Sequence, residues 1–260
     1  MARYVSLGKL GAPKIKTAKS VEDKQEPDRW VTVKGAHIPI YKDEQGNDVF
    51  GIGKEVEQID KPIIGGTYKA TEQMKDLVMD AAEQMQKDFP ILRKSLQVNI
   101  NKGVSSDAAG IVDLSDNTAT ISGAWLKNKL KFGDRTSPKD LKDIRGTVCH
   151  ELTHVMQYRL FDKNGLSKHY LNSEESKNYI DSLWNRAVDR CVKSHPNLTT
   201  KEVNTVMANS YGGGGHSRYG SSSMEKMAVA VEIVYRGYDD RYSWQTELGK
   251  YMIEELKKEM

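Results

Sequence analysis

The tightest constraint on the fold of this chain is a single run, residues 137–160. Ser137-Pro138-Lys139-Asp140 has the make-up of a helix start: a side-chain oxygen as cap, proline at the first helical position, and a carboxylate in the first turn. Leu141, Ile144, Val148, Leu152, Val155 and Met156 follow at spacings that form one apolar stripe. Set into that stripe is His150-Glu151-Leu152-Thr153-His154. Four residues turn an α-helix by about 400° and advance it by about 6 Å. Both imidazoles therefore leave one face, a turn apart, and can converge on a single metal ion while the stripe anchors the opposite face. Glu151 stands about 100° round from His150, beside such an ion rather than on it. There its carboxylate can take a proton from a metal-bound water. Imidazole pairs completed by a carboxylate suit Zn²⁺. With six histidines in 260 residues, the pattern arises by chance in roughly 1% of such chains, so it carries weight.

A third ligand must come from elsewhere. Residues 222–235 read as a further helix in which Met224, Met227, Ala228, Val229, Ala230, Val231, Ile233 and Val234 are apolar almost all round, as in a buried helix. A carboxylate there is costly unless paired or metal-bound, which singles out Glu225 and Glu232. Seven residues put them on one face but about 10 Å apart along the axis, so one ion does not easily take both. The other is then placed to orient a ligand histidine from behind. His216 is a further candidate. It lies in Tyr211-Gly-Gly-Gly-Gly-His216-Ser-Arg218-Tyr219-Gly220, where four consecutive glycines predict a mobile loop. His216 and Tyr219 are the expected donors to an oxyanion beside the metal. No Gly-Lys-Ser/Thr follows the glycines, which argues against a phosphate cradle.

The remaining chain reads as α+β. Residues 1 to about 30 lack periodicity and are rich in Lys, Pro, Gly and Ser, predicting an extended basic arm. Residues 30–52 predict a small β-hairpin, and Pro62, Gly65 and Gly66 a link onward. A helix is expected from Thr71 to Phe89-Pro90, then short strands at 96–100, 110–114 and 118–121, the last two as a hairpin. After them the chain is mostly helical: the 137–160 helix, one from Ser173, a short one opened by the Thr199–Glu202 capping-box spacing, the 222–235 helix, and one from Ser243. Two domains follow, an arm with hairpin over 1–68 and a domain over 69–260 built on a small mixed sheet and the His-Glu-x-x-His helix.

Composition narrows the function. A hydrophobic share of 38% suffices for a sizeable core. The balance of 39 basic against 36 acidic residues argues against a dedicated nucleic-acid binder. The most apolar stretch, residues 227–235, contains Glu232 and is far shorter than the ~20 residues that span a bilayer. Cys149 and Cys191 sit at apolar helical positions and are expected as buried free thiols. The N-terminus has no apolar core of a secretory signal, which predicts residence in a cytoplasm.

His-Glu-x-x-His on a helix that follows a small sheet resembles the zincin metallopeptidases over roughly residues 71–237. The resemblance implies a zinc-activated water attacking a peptide carbonyl, with Glu151 as base and then acid, and a peptide or protein as substrate. The metzincin branch places a glycine and a third histidine where this chain has Gln157 and Leu160, so it departs from that branch. Glu225-Lys226-Met227-Ala228 resembles the gluzincin pattern, which implies His150, His154 and Glu225 as the zinc ligands; Met227 stands where that pattern has an aromatic. Zincins also pair an extended peptide with the edge strand before the motif helix, here within 110–121. A second resemblance, of residues 31–40 and 48–53, is to a segment of bacteriophage head-morphogenesis and minor head proteins. It implies a phage origin, virion or capsid partners through residues 1–68, and location in the host cytoplasm or the virion. The competing reading is a virion-associated structural or assembly protein whose metal site is structural or vestigial.

Overall fold

The computed structural model describes residues 29–33, 36–42, 48–50, 54–55, 59–102, 109–113, 117–131, 135–210, 222–237 and 242–260. The chain divides into two units, Met1–Gln58 and Ile59–Met260. In the first, β1 (Arg29–Val33) runs antiparallel along β2 (Ala36–Lys42). The other side of β2 takes two short antiparallel partners, β3 (Asp48–Phe50) at Ile40 to Lys42 and β4 (Lys54–Glu55) at Ala36 and His37. The expected hairpin is thus part of a four-stranded sheet. Ile40 is buried.

The sequence places 59–68 in a link belonging to the first domain. Instead, β5 (Ile63–Gly65) pairs in parallel with β6 (Gln97–Asn101), which ties these residues to the second unit. Three residues flanked by proline and glycine are too few to show strand periodicity; only the partner strand makes them one. β6 pairs in parallel with β8 (Thr118–Ser122), and β7 (Gly110–Asp113) closes the sheet antiparallel to β8, giving the order β5-β6-β8-β7. Alternation sends Val98, Ile100, Ala119 and Ile121 into the core. The crossover from β5 to β6 is α1 (Glu72–Asp88), capped by the Thr71 hydroxyl accepting from the Met74 N–H and stopped at Phe89-Pro90.

The helical remainder follows the caps. After a short α2 (Gly123–Lys129), capped by Ser122 but too short to show a periodicity, comes α3 (Pro138–Lys163), where Ser137 Oγ accepts from the Asp140 N–H and Pro138 needs no partner. Ser173 caps α4 (Glu174–Ser194), and Thr199 with Glu202 forms the capping box of α5 (Thr200–Asn209). Ser222 caps α6 (Ser223–Arg236), which ends at Gly237 in the left-handed region (φ 61°). The last helix is α7 (Ser243–Lys258). α3 is the central element, packed against α1, β7, β8 and α6. Every residue from Val148 to Gln157 is buried, so this helix hides polar side chains as well as its apolar stripe. Cys149 and Cys191 are buried free thiols. Among the described residues no helix is long and apolar enough to cross a membrane.

Candidate metal centre

Burial all round leaves the polar side chains of α3 dependent on partners, because an unpaired buried charge is costly. His150 and His154 stand a turn apart with ring centroids 5.0 Å from each other and planes at 78°. α6 lies along them. Glu225, in its first turn, is favoured there by the helix dipole, and the Ser222 hydroxyl accepts from its N–H at 3.3 Å. The Glu225 carboxylate reaches both rings: Oε2 is 3.4 Å from His150 Nε2 and Oε1 is 3.5 Å from His154 Nε2. His150, His154 and Glu225 together form a group that can hold a metal ion, one ligand atom from each lying within 4.8 Å of the others.

Both outer nitrogens are engaged. His150 Nδ1 lies 2.9 Å from Glu232 Oε2, and His154 Nδ1 lies 2.8 Å from Gln157 Oε1. An ionised carboxylate and an amide oxygen only accept, so both Nδ1 atoms carry hydrogen and direct the opposite nitrogens inward. Glu225 Oε2 is buried and has no hydrogen-bond partner. A buried carboxylate with one unpartnered oxygen, each of its oxygens 3.4–3.5 Å from one imidazole nitrogen, fits a cation shared with the two rings better than it fits a hydrogen-bond network.

The electrostatics are those of an electronegative centre, which attracts a proton and a metal cation alike. Burial disfavours a charged His150 ring, yet the Glu225 and Glu232 carboxylates outweigh it and raise its pKa to about 10. Burial pushes Glu225 up, but the two imidazoles beside it prevail and hold it well below the usual carboxylate range. Glu232 is likewise held down, against burial, by His150 and Arg236. The pocket favours positive charge at its centre. Glu151 differs: burial raises its pKa, and the nearby histidines only partly offset that.

Two glycines make the arrangement possible. A Cβ on Gly110 of β7 would lie 2.5 Å from Glu151 Cγ, so the carboxylate of Glu151 occupies the space a side chain would need. A Cβ on Gly146 would lie 2.4 Å from Arg236 Cγ. Arg236 needs that clearance to reach Glu232, with Nη2 at 2.5 Å from Oε1, and to lean on Asp143. β7 also bears on the site through its backbone. The Ser122 N–H donates to the Ala109 carbonyl at 2.8 Å, which turns Ile111 and Asp113 toward β8 as well. Gly110 and Val112 therefore present N–H and C=O groups at the free edge, where no strand pairs among the described residues.

Of the expected site residues, His150, Glu151, His154 and Glu225 come together, and Glu232 lies behind His150, against its outer nitrogen and outside the group that could hold an ion. His216 and Tyr219 lie outside the described residues, as do the Gly-rich loop and the basic arm. Gln157, Gly110 and Gly146 are contributions the sequence does not flag. Only Gln157 has a signal that could have found it, an amide side chain three places beyond His154 on the same helix. No known protein family, curated protein or solved structure matches this chain.

Proposed function

We propose that this chain is a zinc-dependent hydrolase of zincin type that cleaves peptide bonds. The observation that carries the proposal is the buried Glu225 carboxylate, one oxygen of it without a hydrogen-bond partner, set against two inward-directed imidazole nitrogens. Ligands about 2.0–2.1 Å from a tetrahedral zinc ion sit about 3.3–3.4 Å from each other, and the carboxylate stands at about that spacing from each ring, Oε2 at 3.4 Å from His150 Nε2 and Oε1 at 3.5 Å from His154 Nε2. Two imidazoles and one carboxylate leave a fourth position open, as catalytic rather than structural zinc requires. An ion held there supplies Lewis acidity toward oxygen.

The chain's own residues do the rest. Glu151, not a ligand and raised in pKa by burial, accepts a proton at its carboxylate from the attacking water and returns it to the departing amine. The free edge of β7 supports an extended substrate by adding it as a strand through the Gly110 and Val112 backbone groups, beside Glu151. Oxyanion stabilisation falls in this reading to His216 or Tyr219.

Purified protein should carry about one zinc per chain, hydrolyse a mixture of unstructured peptides, lose this activity to a dipicolinate chelator and regain it with zinc. A metal whose removal lowers the melting temperature, in a protein that cleaves no peptide, behaves as a staple of the fold. That result would replace the hydrolase with the virion structural or assembly protein. Gly110→Ala supplies a finer check. Its Cβ must displace Glu151 while leaving all three ligands alone, so zinc content should hold and turnover should fall about 100-fold, the effect of misplacing a reacting group by about 1 Å.

A further inference from the structure

We propose that Gln157 is a positioning residue, a two-ended strut that sets the tautomer of His154 and at the same time fixes the peptide unit carrying Glu225. The inference rests on the metal reading above and goes beyond it, because it ties two ligands on different helices to one side chain.

Gln157 is fully buried, one turn beyond His154 on α3. Its Nε2 donates to the Met224 carbonyl at 3.1 Å. A carbonyl only accepts, so this bond dictates which end of the amide faces it. The amide oxygen is thereby committed to His154 Nδ1, 2.8 Å away, and Nδ1 must carry the hydrogen. The lone pair of His154 is then on Nε2, pointing at Glu225. The gripped carbonyl belongs to the peptide bond whose nitrogen is that of Glu225. One amide thus spans from the imidazole of the second ligand to the backbone of the third.

The two histidines are held by different chemistry. Behind His150 stands a carboxylate, Glu232, backed by Arg236. Behind His154 stands a neutral amide, which orients the ring without adding charge. A carboxylate at 157 could still accept from Nδ1 but would turn its second oxygen on the Met224 carbonyl, acceptor against acceptor.

The test uses the full-length protein and Co²⁺, whose visible absorption reports ligand geometry, with affinity measured by competition against a chelator. Gln157→Met keeps the volume and removes both bonds; it should weaken Co²⁺ binding about 10–100-fold, the usual effect of losing an outer partner of a ligand, and shift the absorption bands. Gln157→Glu keeps one end of the strut and should also bind more weakly than the wild type. As a control, Gln86→Met removes a comparably buried amide that joins α1 to the Asp60 and Leu92 carbonyls away from the site. It should lower stability and leave Co²⁺ affinity unmoved. Gln157→Met with affinity within twofold of the wild type and an unchanged spectrum overturns the strut. Wild-type affinity in Gln157→Glu overturns its link to Met224, and equal loss in Gln86→Met reduces the effect to general stability. A wild-type protein that takes up no Co²⁺ overturns the metal reading itself, which the other results leave standing.

Discussion

Glu151→Gln should retain about one metal ion per chain and lose peptide hydrolysis by about 10²–10⁴-fold. The substitution changes little else. Glutamine has the shape of glutamate, so it fills the same space against Gly110 and keeps the buried helix packed. Glu151 is not among the three residues placed so that they could hold an ion. What disappears is a carboxylate able to receive a proton within the electrostatic reach of His150 and His154. The removed group is a buried anion, so the variant should be at least as stable as the wild type, and a loss of rate will not be explained by unfolding. Metal analysis, thermal unfolding and initial rates on the same preparation separate these effects. Unchanged rates would remove Glu151 from the chemistry and return the site to a purely metal-holding role.

Glu225→Ala should abolish stoichiometric metal binding, whereas Glu232→Gln should weaken it only about 10–100-fold. The two carboxylates share one face of α6, and each meets His150, but on opposite sides of the ring. Glu225 faces both inward nitrogens, so its removal deletes one of the three groups that could hold an ion. Glu232 holds the outer nitrogen and is tied to Arg236, so its amide variant alters the orientation and basicity of His150 while leaving every ligand in place. Equilibrium dialysis against zinc, followed by elemental analysis, distinguishes the two outcomes. The reverse pattern, metal kept without Glu225 and lost without Glu232, would exchange their roles and undo the reading of the Glu225 oxygen as a ligand atom.

Much of the fold is legible from caps and periodicity. Thr71, Ser137, Ser173, Thr199 and Ser222 each stand one residue before the helix that the sequence starts there, because the cap hydroxyl answers a need that exists wherever a helix begins. β5 and α2 are missed for a different reason, their shortness. Ile63–Gly65 is a strand only because β6 accepts it; Gly123–Lys129 does have a cap, the Ser122 hydroxyl accepting from the Trp125 N–H, but Ser122 also ends β8 and the seven residues that follow are too few to show helical periodicity. The division of the chain moves from residue 68 to Gln58 for the same reason as β5.

Within the site the boundary is just as physical. His150, Glu151 and His154 are neighbours along one helix, and 3.6 residues per turn is a property any chain segment carries with it, so their convergence is determined by sequence alone. Whether Glu225 or Glu232 joins them depends on the axial position at which α6 lies against α3, across 82 residues from His150 to Glu232. That offset is settled by packing: by Gly146 admitting Arg236, and by Gln157 reaching the Met224 carbonyl. Local periodicity is encoded residue by residue, but the register between two helices is a property of the side chains both present to each other, and it exists only once they have met.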